Sequence, residues 1–155
     1  MNINETKKLT VHHVLIHSYS IFFISLILGL LVDLLYPLRI IPKAVSLQLG
    51  IALLVLAPTL IFWAQYTSSN LRVKKEQVLH VDFKKGPYRF TRNPTHVGLG
   101  FLIIGFGVLI NSISIIIFTL IAVIISSNVF LKKQEKMLEE SYGEEYRKYK
   151  NTLKF

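Results

Sequence analysis

Hydrophobic residues in this chain fall in long, nearly unbroken blocks, not in the alternating pattern of a half-buried strand. Val14 to Leu35 and Val45 to Tyr66 each run 22 residues without Lys or Arg. The first is interrupted by His17, a few serines and Asp33, and the second carries Gln48, Pro58 and Gln65. A third block, Val97 to Leu131, holds 35 residues and no charge. A helix needs about 20 apolar residues to cross the roughly 30 Å hydrocarbon layer of a bilayer, so the first two blocks each predict one crossing. The third is too long for one crossing and breaks at Asn111-Ser112. It predicts a tight hairpin with arms 94–110 and 113–133, the first arm short for a full span. The pattern therefore predicts an all-α integral membrane bundle of four transmembrane helices (spans 14–35, 45–66, 94–110 and 113–133) in a single domain, 1–155.

Beyond the last span the period changes. Leu138, Tyr142, Tyr146, Tyr149 and Leu153 recur every three or four residues, which predicts an amphipathic helix over 134–155, lying on the bilayer surface. Ser141 and Glu144 have capping-box spacing, so this helix is expected to restart near Gly143.

Charge fixes the orientation. The chain is 52% hydrophobic and only 17% charged, yet its net charge is +9. The loop 67–93 holds Arg72, Lys74, Lys75, Lys84, Lys85, Arg89 and Arg92, and the C-terminal segment holds seven more basic residues. The first connection has only Arg39 and Lys43, and the Asn111-Ser112 turn has none. Basic residues flank spans on the cytoplasmic side, so both termini and the 67–93 loop are expected there, facing anionic lipid. This accounts for the charge without nucleic acid as a partner. Asp33 then lies at the outer face, where solvation is its expected reading. A polar start and the lack of a small-x-small site after the first block argue against a cleaved signal. Zero cysteines exclude disulfides and thiolate chemistry, and the five histidines show no metal-ligand spacing.

Polar chemistry concentrates in two segments that a hairpin would bring together: His80 to His96 before it and Gln134 to Tyr149 after it. Gly86-Pro87 is a turn signal and Asn93-Pro94 a helix start, with Asn as cap and Pro at the first helical position. Free N–H groups and the positive helix end there, beside Arg89 and Arg92, suit an anion such as a carboxylate or phosphate. They equally suit headgroup anchoring. His80 and His96 read as interface residues as readily as catalytic ones, and Lys132 and Lys133 could pair with Glu135. Gly98 and Gly105 are seven apart, as are Gly100 and Gly107. They draw two small-residue lines on one helix, expected to let backbones approach closely.

The ordered set Gly86-Pro87-Tyr88, Arg92-Asn93-Pro94-Thr95-His96-Val97-Gly98, a charge-free block, Gln134-Glu135-x-x-Leu138 and Tyr142-Gly143-Glu144-Glu145-Tyr146-x-x-Tyr149 resembles the isoprenylcysteine carboxyl methyltransferases and the related phospholipid methyltransferases. The resemblance covers about residues 80–150. It implies a cytoplasmic pocket for S-adenosyl-L-methionine and a lipophilic acceptor entering from the bilayer. By resemblance His80, Val81, Asp82, Phe83, Tyr88, Asn93, Pro94, Thr95, His96, Gln134 and Glu135 hold the cofactor, with Arg92, His96 and Glu135 nearest the chemistry. Arg92 and the helix N-terminus suit its carboxylate, and Glu135 suits a ribose hydroxyl, the amino group or the sulfonium.

This chain departs from that pattern at Asn93 (His in the family), His96 (Tyr), Gln134 (Glu) and Phe130 (the Arg that faces a prenylcysteine carboxylate). Two other readings share the scaffold. Membrane sterol and steroid reductases carry a similar corner and bind NADPH, but continue with Phe-Gly-Glu where this chain has Val97-Gly98-Leu99. A non-enzymatic membrane protein built on a decayed methyltransferase scaffold would explain the replaced residues.

Overall fold

The computed structural model describes residues 3–39, 41–76 and 84–152, apart from the side chains of 3–16, 18, 71–76, 130 and 141. All regular structure among them is helical. Helix α1 spans Ile3–Leu35, α2 Lys43–Glu76, α3 Pro94–Leu109 and α4 Ile113–Ser126. A π-helical segment, Ser127–Leu131, leads directly into α5, Lys132–Tyr142, and α6 follows as Glu144–Thr152. One 3-10 turn, Gly86–Arg89, precedes α3.

Two stretches have the length and hydropathy of a membrane crossing, Lys43–Asn70 and Ile113–Glu140. Each is 28 residues, about 42 Å at 1.5 Å per residue. Two apolar helical stretches, Tyr19–Leu35 and Pro94–Leu109, are shorter. Large apolar side chains point outward along these helices, among them Leu34, Leu56, Phe62 and Ile124. Water would make such a surface an association liability, whereas hydrocarbon is its matching solvent.

Close backbone approach organises the packing. Helix α3 lies against α2 and α4, and α1 against α4. A Cβ on Gly105 would sit 2.8 Å from Leu53 Cβ, and one on Gly98 would meet Ile61 of α2. On the adjacent line, a Cβ on Gly107 would come 2.9 Å from Ile115 of α4, and one on Gly100 would touch Val123. The two small-residue lines of α3 therefore serve two different neighbours. Gly50 of α2 completes the contact, its missing Cβ leaving room for the Leu109 backbone, while Ser46 Oγ donates to Val108 O at 2.5 Å. Phe22, Ile103, Ile115 and Ala122 form the buried centre of the bundle.

The connection from α3 to α4 is closed by hydrogen bonds. Asn111 adopts φ 58, and its amide accepts from Ile41 N at 3.1 Å and donates to Ile41 O at 2.6 Å. Ser112 caps α4 by accepting from Ile115 N. Arg39 holds Asp33 bidentately at 2.6 and 2.8 Å and donates to Asn111 O at 3.1 Å. Asp33, expected to be solvated, is instead neutralised by an ion pair that ties α1 to this turn.

The predicted boundaries need adjustment. Helix α2 continues past the expected 45–66 span into the loop. No break separates 113–133 from 134–155. Ser127 Oγ donates to Val123 O at 2.7 Å and Asn128 Nδ2 to Ile124 O at 3.0 Å. These side chains compete for the backbone acceptors at the end of α4, where the π segment begins. The chain turns only at Gly143, with φ 60 and ψ −132. Leu153 lies outside the described residues. The tyrosine face of α6, expected against the bilayer, packs inward: Tyr146 and Tyr149 are buried together with Tyr88, Leu138 and Tyr142 around them.

Two stability outcomes follow. Gly50→Val forces α2 away from Leu109 and should cost about 1–3 kcal/mol or more, read as a lower melting temperature in detergent, while Leu34→Ala on the outward face leaves the midpoint nearly unchanged. Asn111→Ala should destabilise by roughly 2–4 kcal/mol, combining the left-handed backbone penalty with two lost hydrogen bonds. Asn111→Gly, which removes only the hydrogen bonds, should lose about half as much by the same measurement.

Candidate functional site

The site is built on the short stretch between the 3-10 turn and α3. Gly86 has φ +57 and an absent Cβ that would stand 2.5 Å from Thr67 Oγ1, so glycine alone lets this turn press onto α2. Pro87 is buried beneath it. Phe90 N and Thr91 N both donate to Pro87 O, and Thr91 Oγ1 accepts from Asn93 N at 3.3 Å. Asn93 starts α3 differently from the expected side-chain cap. Its side chain makes no cap bond, and its backbone carbonyl receives His96 N and Val97 N. The side chain is left to face a cavity.

Arg92 and Glu135, 43 positions apart in sequence, meet here. Arg92 Nη1 lies 2.9 Å from Glu135 Oε1, and Lys150 Nζ lies 3.3 Å from Glu135 Oε2 and 2.6 Å from Glu139 Oε1. Glu135 is a buried carboxylate clamped between the corner before α3 and helix α6. Its expected partners, Lys132 and Lys133, are not the ones it takes. The Glu139 carboxylate, with Glu135 behind it, holds the Lys150 ammonium above the ordinary lysine range. Tyr149 Oη donates to Tyr88 O at 2.7 Å, closing α6 over the 3-10 turn.

Two cavities flank this corner. The first, about 460 Å³, is lined by Tyr88, by Arg92 to His96, by Gln134 and by Tyr142, Tyr146 and Tyr149. Helix α1 adds Tyr19, and α2 adds Gln65, Ser68 and Ser69. The second, about 620 Å³, has an apolar side of Phe22, Val97, Val123 and Leu131. Its polar side is Ser126, Ser127, Lys132, Glu135 and Lys150. Arg92, Asn93 and His96 line both cavities and form the wall between them. Both volumes fall in the range of small-ligand sites. The His96 ring is buried against Tyr19 and Phe22, with ring centroids 5.7 and 6.4 Å away.

Two buried polar atoms at this junction have no hydrogen-bond partner among the described residues: Arg92 Nε and Gln134 Oε1. Such atoms are rare in proteins and costly when nothing meets them. A ligand that carries the complementary acceptor and donor would satisfy both.

Of the residues singled out from sequence, Tyr88, Asn93, Pro94, Thr95, His96 and Gln134 share the first cavity with Arg92, whereas Glu135 faces the second. His80, Val81, Asp82 and Phe83 lie outside the described residues. Sequence reasoning missed Tyr19 and Phe22 on α1, the Gln65 to Ser69 end of α2, and Lys150. Nothing in an apolar block distinguishes Tyr19 from a lipid-facing tyrosine. The signal for Tyr142, Tyr146 and Tyr149 was present in their helical spacing, but spacing does not say which surface the face meets.

Comparison with known proteins places this sequence in a family. No curated protein and no solved structure gives a significant match. The family model for phospholipid methyltransferases matches residues 45–145, well over half the chain and spanning α2 through the start of α6. With two candidate membrane-crossing helices, that match associates the chain with a membrane and with methyl transfer. The chain belongs to the phospholipid methyltransferase family.

Proposed function

We propose that this protein transfers a methyl group from S-adenosyl-L-methionine to a lipophilic acceptor at the cytoplasmic face of the membrane, from a single domain of four spans with both termini cytoplasmic. The observation that carries the reading is the pair of cavities divided by Arg92, Asn93 and His96. One is polar and aromatic, and the other is apolar along one side. A two-substrate transfer between a water-soluble donor and a lipid needs such a pair.

The residues of the first cavity fit the donor. Its methionine portion carries a carboxylate and an ammonium, the complements of Arg92 Nε and Gln134 Oε1, the two buried atoms that lack partners. Thr95 and the N-terminal turn of α3 add positive backbone potential on the same side. When bound, the cofactor supplies an activated methyl on a sulfonium. The chain then has to align nucleophile, methyl and leaving sulfur, which by itself accounts for a large rate gain. Glu135 fixes Arg92 from behind through their 2.9 Å contact, a positioning role in place of the direct cofactor contact the resemblance implied. His96, in the shared wall, is placed to accept a proton from an amine or thiol acceptor. The apolar side of the second cavity accommodates the acceptor's hydrocarbon, and its serines and lysines meet the polar head.

Thermal unfolding in detergent tests the reading. S-adenosylhomocysteine at millimolar concentration should raise the midpoint by several degrees through binding to the folded state alone. NADPH should leave it unchanged. Protection by NADPH without protection by S-adenosylhomocysteine would replace this reading with the reductase one. Gln134→Leu removes an acceptor that has no partner among the described residues, so the fold should persist while affinity for S-adenosylhomocysteine drops roughly 3- to 10-fold by titration calorimetry. Glu135→Gln breaks the clamp on Arg92 and should reduce methyl transfer more than it reduces cofactor affinity. Equal losses in both would count against its positioning role.

A further inference from the structure

The first cavity has an unusual wall. Five tyrosines line it, from four separate elements: Tyr19 on α1, Tyr88 on the 3-10 turn, Tyr142 on α5, and Tyr146 and Tyr149 on α6. Among the described residues no Asp or Glu lines it, and Arg92 is the one charged side chain of that lining. Glu135, the buried carboxylate nearby, lines the other cavity and is held by Arg92 and Lys150. By simple Coulomb reasoning that described lining offers a cation no counter-charge. Aromatic surface acts in the opposite sense: the electron-rich faces of tyrosine rings attract a poorly hydrated cation, and aromatic boxes hold quaternary ammonium groups.

We propose that this tyrosine wall is an onium-ion site, which binds a methylated sulfonium or quaternary ammonium through aromatic surface in place of a carboxylate. The sulfonium source deepens the cofactor reading above and rests on it. The ammonium source, a methylated lipid head, does not need it. Burial pushes the hydroxyls of Tyr88, Tyr146 and Tyr149 above the ordinary tyrosine range, so these three rings stay uncharged and the attraction comes from ring faces and dipoles. The site has a functional consequence. Methyl transfer removes the sulfonium charge from the donor, so the wall favours the charged donor over its neutral product and assists exchange.

The experiment is calorimetric titration of the full chain in detergent with four probes: S-adenosylmethionine, S-adenosylhomocysteine, phosphocholine and phosphoethanolamine. The expected result is S-adenosylmethionine binding at least tenfold tighter than S-adenosylhomocysteine. Tyr142→Leu should abolish that ratio, and Tyr142→Phe, which keeps the ring, should preserve it. Tyr142 is partly exposed and outside the buried Tyr146–Tyr149 pair, and a melting curve for each variant confirms folding. Equal affinity for the two nucleosides would overturn the sulfonium site while leaving the cofactor reading intact. Binding of phosphocholine over phosphoethanolamine with neither nucleoside bound would support the onium site and overturn the cofactor reading. No preference for the methylated member of either pair would overturn the site altogether.

Discussion

Helix α3 has to lie within backbone contact of two neighbours at once, and the rest of the molecule is arranged around that requirement. Between helices in a lipid surrounding, apolar side chains gain little by meeting one another, because hydrocarbon solvates them equally well. Association then depends on close packing and on hydrogen bonds that lipid cannot offer. Gly98 and Gly105 admit α2, and Gly100 and Gly107 admit α4. The Ser46 hydroxyl on the Val108 carbonyl adds a polar tie at the tightest point. With α3 only 16 residues long, its two ends are held by different means: the Arg39–Asp33 ion pair and turn bonds at Asn111, and the tight Gly86-Pro87 turn at the site.

That packing explains where the two cavities sit. The start of α3 is pinned, and with it Arg92, Asn93 and His96, which together line two separate spaces. A partition made of side chains on one rigid helix end can hold two ligands at a defined separation, as alignment of a transfer requires. The clamp on Glu135 works from the opposite side. Its carboxylate joins Arg92 to Lys150, so the corner before α3 is coupled to α6, which also supplies two of the tyrosines in the first cavity. A buried carboxylate with two cationic partners offsets the desolvation that a lone charge would face there. The two cavities and the C-terminal helix thus share one electrostatic junction.

Much of this was legible before any coordinates. The charge-free 97–131 block, the break at Asn111-Ser112, the glycine lines and the Gly86-Pro87 turn follow from local rules about hydrocarbon, backbone freedom and proline. Each concerns a few neighbouring residues or a single helix face, so sequence suffices. The juxtaposition of Arg92 with the Gln134-Glu135 pair was also accessible, since a fold-back brings the two ends of a block together. The exact partners were not. Lys132 and Lys133 lie nearer to Glu135 in sequence than Lys150 does, yet Lys150 makes the contact, because α6 turns back at Gly143.

By itself, then, the sequence determined the helical class, the affinity for a membrane, the turns and the family motifs, because these arise from composition and short-range stereochemistry. Only the tertiary structure decided that Asp33 is paired, that the tyrosines of 142–149 face inward, and that Glu135 belongs to one cavity and Gln134 to the other. An amphipathic face records that a partner exists but not whether the partner is lipid or protein. Adjacent residues on a helix differ by about 100° in direction, so which of two cavities each one enters depends on the rotation of that helix against its neighbours.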